Sequence, residues 1–288
     1  MSFADFGLSE QILKALKEKE YTRATPIQTK TIPLVSQGKD IIATAQTGTG
    51  KTASFLLPIL QILIGMGKTK PNQARSLVLA PTRELAIQIG EHACQYSKFT
   101  SLRINIVYGG VKINPQMMDL RKGADVLIAT PGRLLDLISK NAVKFTALKV
   151  LVLDEADRML DLGFLDQIQK ILSLLPNTRQ NLIFSATFSR EILSLSKKFL
   201  NNPIEISISS KNTAADLVKH WVFSVDKKLK PELLSTLILN QKLNQVLVFT
   251  NTKKNTELLS SFLNKKGLNS STLHGDTNQS ISAKHLSE

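Results

Sequence analysis

Ala45-Gln46-Thr47-Gly48-Thr49-Gly50-Lys51-Thr52 lies between a short apolar run, Ile41-Ile42-Ala43, and a helical pattern beginning at Ala53. Glycines let a chain curl until successive N–H groups face one point, and the N-terminus of the following helix adds partial positive charge there. In a strand–loop–helix frame this is the construction of a phosphate-binding loop. Lys51 reaches the terminal phosphates, and the Thr52 hydroxyl suits Mg²⁺. The general pattern begins with glycine, where this chain has Ala45. The competing reading is a glycine-rich turn that only starts a helix.

Further apolar runs fit the same frame. They are Ser76–Ala80, Ile104–Tyr108, Val126–Ala129, Val150–Leu153 and Leu182–Phe184. Near-continuous Val, Ile and Leu without alternation suits strands covered on both faces. Helical patterns lie between many of them, such as Glu84–Tyr96 and Gly132–Ser139. The expected fold is therefore α/β with a doubly wound parallel sheet. Asn201-Asn202-Pro203 is a turn signal, and Ser207–Ala215 is rich in small polar residues. The expected division is a first domain over residues 1–207, a linker over 208–216 and a second α/β domain over 217–288. Strands are expected in the second at His220–Val225, Val246–Phe249 and Ser271–Leu273. Helices are expected there around Pro231–Leu239, Thr256–Lys265 and Ile281–Glu288.

The 288 residues carry 37 Lys+Arg against 23 Asp+Glu, a formal net charge of +14. Such a surplus favours a polyanionic partner, nucleic acid or an anionic membrane, though a lysine-rich solvated surface gives the same totals. The longest apolar stretch, Ala53–Met66, is interrupted by Pro58 and Gln61 and is too short for a bilayer span. The first residues lack the basic and apolar regions of a secretory signal. The single cysteine, Cys94, excludes an intrachain disulfide and reads as a small buried side chain on a helix. A cytoplasmic protein without a membrane partner is expected.

The run Val150–Leu153 leads directly into Asp154-Glu155-Ala156-Asp157. Ligands of open α/β sheets bind at the carboxyl ends of the strands. Phosphoryl transfer needs one carboxylate to hold Mg²⁺ and a group to orient the attacking water. Asp154 suits the first task and Glu155 the second. The same residues would also serve as the cap and acidic first turn of a helix.

Together with Ser185-Ala186-Thr187, these motifs resemble the DEAD-box ATP-dependent RNA helicases. Order and spacing match, as do Pro81-Thr82-Arg83-Glu84-Leu85, Gly109-Gly110 and Thr130-Pro131-Gly132-Arg133. The N-terminal stretch is similar to the bacterial RhlE-type subgroup. The resemblance implies a RecA-like ATP-binding domain followed by an incomplete second one, acting as a monomer on RNA with ATP and Mg²⁺. It implies nucleotide contacts from Phe3, Gln28, Thr47, Gly48, Thr49, Gly50, Lys51 and Thr52, with Thr52 and Asp154 on the metal. A glutamine amide complements the donor and acceptor on the adenine edge, and Phe3 is placed to stack on the base or to anchor the N-terminus. The catalytic set would be Lys51, Asp154, Glu155, Asp157, Ser185 and Thr187, with the Ser185 and Thr187 hydroxyls bonding Asp157. RNA-backbone contacts are implied at Thr82, Arg83, Gly109, Gly110, Thr130, Gly132, Arg133 and Gly275. Such contacts carry shape and charge but little base information.

The chain departs from the family pattern at Glu20, usually glycine, at Ala24, usually proline, and at Ser282, usually arginine. His274-Gly275-Asp276 and Gln279 match further landmarks. The family's later Thr/Asp loop and its His-Arg-Gly-Arg motif do not occur before Glu288, and an arginine finger is worth roughly 10³–10⁵ in rate in related hydrolases. The expectation is an RNA helicase by family, in which these 288 residues bind nucleotide but have weak or no unwinding activity. The alternative is an ATP- or RNA-binding module without turnover. A P-loop ATPase acting on DNA fits the combination of Gln28 and the Asp154–Asp157 motif less well.

Overall fold

Seven strands form one sheet in the order β3-β4-β2-β5-β6-β1-β7, and every neighbouring pair runs parallel. The strands are β1 (Ile41–Thr44), β2 (Ala74–Leu79), β3 (Ile104–Val107), β4 (Ala124–Ala129), β5 (Val150–Leu153), β6 (Gln180–Ser185) and β7 (Ile204–Ser207). This is a computed structural model, and it describes residues 1–46, 48–208 and 219–274. The chain divides into two compact units, residues 1–213 and 214–288.

Helices cover both faces of the sheet, as buried parallel strands require. On one face lie α1 (Glu10–Glu18), α2 (Pro26–Ser36), α3 (Lys51–Ile64) and α4 (Arg83–Tyr96), packed against Ile41, Ala43, Val78, Val126, Val152 and Phe184. On the other lie α5 (Ile113–Leu120), α6 (Pro131–Ser139), α7 (Ala156–Asp161), α8 (Leu165–Leu174) and α9 (Arg190–Lys197), packed against Ile42, Leu77, Leu127, Leu151 and Ile183. The two-residue periodicity of a strand sends adjacent side chains into different cores.

Buried polar clamps close the amino ends of the strands. Asp40 accepts from the backbone N–H groups of Asn181 and Asn201, each at 2.8 Å. Gln180 donates to the carbonyls of Val35 and Lys39, and Arg75 pairs with Asp125 between β2 and β4. With that edge tied down, the variable loops emerge at the carboxyl ends, where ligands bind in such sheets.

Three expectations need correction. Residues Ile204–Ser207, at the end of the first domain where no strand was expected, form edge strand β7 beside β1, and Ile208 N–H adds a bond to the Thr44 carbonyl. A half-exposed edge alternates Ile-Glu-Ile-Ser and looks polar in sequence. Cys94 lies on the exposed side of α4, not in the core. In the second unit, none of the expected strands at His220–Val225, Val246–Phe249 and Ser271–Leu273 forms a ladder among the described residues. An apolar run becomes a strand only when a neighbour pairs with its backbone and a layer covers its side chains. The helices expected there are present as Lys230–Asn240 and Lys253–Lys265. Thr47, most of the linker at 208–216, and Gly275, Asp276, Gln279 and Ile281–Glu288 lie outside the described residues.

Candidate functional site

The loop after β1 is shaped by its own backbone. Gly48 and Gly50 adopt φ of 81° and 92°, a region that costs side-chain-bearing residues about 1–2 kcal/mol. A Cβ on Gly50 would also sit 2.4 Å from Gln28 Nε2. The Thr49 hydroxyl donates to the Gln46 carbonyl at 2.7 Å and tightens the turn. Ala45, the departure from the usual glycine, still belongs to the sheet, its N–H donating to the Ser185 carbonyl at 3.2 Å. No left-handed backbone is needed there, so alanine is accommodated.

β1 and β5 flank β6, so the phosphate loop and the acidic strand end stand on either side of a strand that ends in Ser185. Lys51 and Asp154 line one cleft of about 490 Å³, along with Gln28, Gly48, Gly50, Thr52 and Glu155. Both charged side chains are buried. Lys51 Nζ has no hydrogen-bond partner among the described residues. Burial pushes the Asp154 carboxyl up to about 6, the nearby Lys51 charge opposes this, and Glu155 and Asp157 reinforce it. A buried ammonium without acceptors beside a carboxylate that resists ionising suits a magnesium polyphosphate, which would supply the missing counter-charges. Among the described residues no cluster of three or more His, Cys, Asp or Glu is placed to hold a metal alone. Mg²⁺ commonly takes one or two protein ligands and completes its shell with phosphate and water, so Thr52 and Asp154 fit that role.

Glu155 caps α7 with φ 50° and ψ 52°, a conformation uncommon for glutamate. Its carboxylate accepts from Arg158 at 3.3 Å. Asp157 binds the loop after β6. It accepts from the backbone N–H groups of Ala186 (3.0 Å) and Thr187 (3.1 Å) and from the Thr187 hydroxyl (3.3 Å). The two hydroxyls act differently from each other: the Ser185 oxygen instead accepts from Thr187 N–H at 3.3 Å.

Gln28 is buried at the start of α2. Its Oε1 accepts from Thr25 N–H at 2.9 Å, and its Nε2 donates to the Gly50 carbonyl at 3.2 Å. The side chain expected to read adenine thus ties the helix start to the phosphate loop. Phe3 also lines the cleft, but it is only 3% exposed and rests on Phe6 and Tyr21. Its anchoring role is on view.

Sequence reasoning missed several walls of this cleft. Tyr21, Thr22 and Arg23 precede Gln28, and Gln88, His92 and Tyr96 lie along α4. The i, i+4, i+8 spacing of the last three announces a shared helix face, but not what that face meets. Burial, and then Lys19, hold the His92 imidazole below its ordinary value.

The loops after β2, β3 and β4 carry the residues implied for RNA. Thr82 caps α4, its hydroxyl accepting from Leu85 N–H at 3.2 Å. The Arg83 guanidinium lies over the Tyr108 ring at 4.7 Å. Gly109 and Gly110 are exposed, and Gly110 has φ 79°. Thr130 and Gly132 open α6. Arg133 is directed into the protein: it donates to Gln116 Oε1 (3.0 Å) and the Val111 carbonyl (2.8 Å), bracing the loop after Gly110.

A family model described as DEAD/DEAH box helicase matches residues 25–195. The chain belongs to that family. A second model, the helicase conserved C-terminal domain, matches residues 229–288. An ATP-dependent RNA helicase CshA of Limosilactobacillus reuteri is 41% identical over 279 residues, covering 97% of this chain and 55% of the relative. A DEAD-box ATP-dependent RNA helicase RhpA of Helicobacter pylori is 43% identical, covering 96% and 56%. This chain therefore spans about half the length of these relatives. A solved DEAD box protein from the hyperthermophile Methanococcus jannaschii aligns over all of this chain and 76% of its own, with TM-score 0.68 and 36% identity. The RecA-like α/β fold expected from sequence is the fold of residues 1–208.

Proposed function

We propose that this DEAD-box chain binds ATP with Mg²⁺ in the cleft between the phosphate loop and Asp154, and binds RNA along the tips of β2, β3 and β4. The observation that carries the reading is the buried, unpartnered Lys51 ammonium sharing one cleft with Asp154. Lys51 would hold the terminal phosphates, and the amides of residues 48–52 would cradle the others. Thr52 and Asp154 would hold Mg²⁺, which neutralises charge developing on the transferred phosphoryl group. Glu155 would orient the attacking water. Asp157, held by Ala186 and Thr187, would carry the state of the acidic strand end to the loop after β6.

The proposed organisation is an ATP-binding domain over 1–207, a linker over 208–216 and part of a C-terminal helicase domain over 217–288, which would contribute Gly275 to RNA. In longer relatives, ATP and RNA would draw two domains together over a bent strand, and hydrolysis would release them. A polypeptide of these 288 residues is proposed to be a cytoplasmic monomer that binds nucleotide, turns it over slowly and unwinds weakly. Among the described residues no helix is long and apolar enough to cross a membrane.

Steady-state ATP hydrolysis with and without RNA tests this. The expected result is basal turnover with negligible RNA stimulation. RNA-stimulated turnover within about tenfold of a complete family member, against the roughly 10³–10⁵ that an arginine finger supplies, would contradict it.

A further inference from the structure

α8 and α9 each carry a second stripe besides the one they bury. Their core stripes are Ile168 and Ile171 on α8, and Ile192 and Leu195 on α9. Leu165, Gln169 and Leu172 form the outer stripe of α8, and Glu191, Ser194 and Lys198 that of α9 and its cap. Spacings of three and four residues put each set on one helix face. The two outer stripes do not close on each other. Between them lie cavities of about 450 and 540 Å³ that share Gln169 and Lys198 as walls, so they form one groove. Short side chains at Ser173 and Ser194 leave it open.

The groove has two chemically different ends. Near the carboxyl edge of the sheet it is apolar. Leu160 of α7 and Leu165 flank it, and buried Leu195 is its floor. Leu165 is 41% exposed there. Towards the amino edge the walls are Ser173, Asn177, Arg179 and Asn201. Three cations, Arg179, Arg190 and Lys198, line the whole groove against one carboxylate, Glu191. Arg190 and Lys198 make no ion pair among the described residues. Arg179 donates only to neutral oxygens, those of the Asn181 amide and the Pro176 carbonyl. The ligand that answers both ends has leucine-sized side chains at one and carboxylates at the other. The ten residues of α8 rise about 15 Å, the length of a short helix laid beside it.

We propose that this groove docks an acidic amphipathic helix of a partner protein, with apolar anchors over Leu160 and Leu165 and carboxylates facing Arg179 and Lys198. α8 and α9 cover the opposite face of the sheet from α3 and α4, so docking and nucleotide binding are independent.

The test pans phage-displayed peptides of about 12 residues, enough for three helical turns, against the full chain. Enriched peptides are then titrated with a fluorescein label. They are expected to carry Leu, Ile or Phe at helical spacing among Asp and Glu. Leu165→Asp is expected to weaken them about tenfold and Lys198→Glu about fivefold, with ATP affinity unchanged. Failure to enrich such sequences, or affinities that neither substitution alters, would overturn the proposal. Two other occupants would overturn it as well. If no peptide is enriched and the affinity for a single-stranded RNA falls in Lys198→Glu, the groove is part of a basic RNA track. If the wild type sediments as a dimer that Leu165→Asp dissociates, a second copy of the chain sits there.

Discussion

The carboxyl edge of the sheet has two halves that solve different binding problems. At β5-β6-β1, charged groups are buried with little to offset them: Lys51 has no acceptor, and Asp154, which accepts from Glu155 N–H at 3.0 Å, still resists ionisation. At β3-β4-β2, polar side chains are engaged within the protein, although the buried Arg133 Nε has no hydrogen bond. Thr82 caps its helix, Arg83 covers Tyr108 and Arg133 braces Val111. What that half leaves open is exposed glycine backbone. A compact, highly charged ligand repays concentrated desolvation, so the first half stores electrostatic strain for it. An extended polyanion is met by surface, helix starts and close backbone approach, which need no buried charge.

If the contrast is real, variants on the two halves fail in different ways. A large effect is expected from Gly50→Ala, which forces a Cβ into Gln28 and a strained φ. ATP affinity should fall about 100-fold by calorimetry, while RNA binding persists. The next concerns Asp154. Its carboxyl is raised from 3.8 to about 6, so the nucleotide-free protein gains stability from this group fully below about pH 4 and loses it as pH rises through 6. Asp154→Asn should flatten that part of the profile and stabilise the apo chain at pH 8 by at most about 3 kcal/mol. It should also abolish the stabilisation that ATP·Mg²⁺ confers. Denaturant melts across pH 4–8 would show both, and a wild-type profile with no decline would count against the strain.

Arg133→Ala probes the other half. RNA affinity is expected to fall about tenfold, with the slope of log affinity against log salt unchanged, because the side chain braces a loop. A slope reduced by about one would mean that Arg133 meets a phosphate directly. The smallest effect is expected from Thr187→Val, which removes one of the bonds that reach Asp157. Stability should drop by about 1 kcal/mol, with ATP affinity nearly unchanged.

Much of this was legible in the residues, because its cause is local. The glycines at 48 and 50 and the strand–loop–helix frame announce a phosphate loop, and Asp154 follows an uninterrupted apolar run. What escaped depends on neighbours. Val150-Leu151-Val152-Leu153 and Val246-Leu247-Val248-Phe249 are almost the same word. The first is a strand buried between β2 and β6. The second forms no strand, with Leu247 71% and Phe249 87% exposed. Side-chain type sets the capacity for a strand, and pairing partners decide whether it is realised. Arg133 and Gln28 carry the same lesson: residue type gave their hydrogen-bonding capacity, but only the packed loops show which groups they serve.

The central claim is that Lys51 and Asp154 grip the phosphates of a magnesium nucleotide. Calorimetric titration of ATP·Mg²⁺ into wild type and Lys51→Ala tests it most directly. The account predicts a single site in the wild type and no measurable binding in the variant, with both proteins folded. Equal ATP affinity in the two would contradict it.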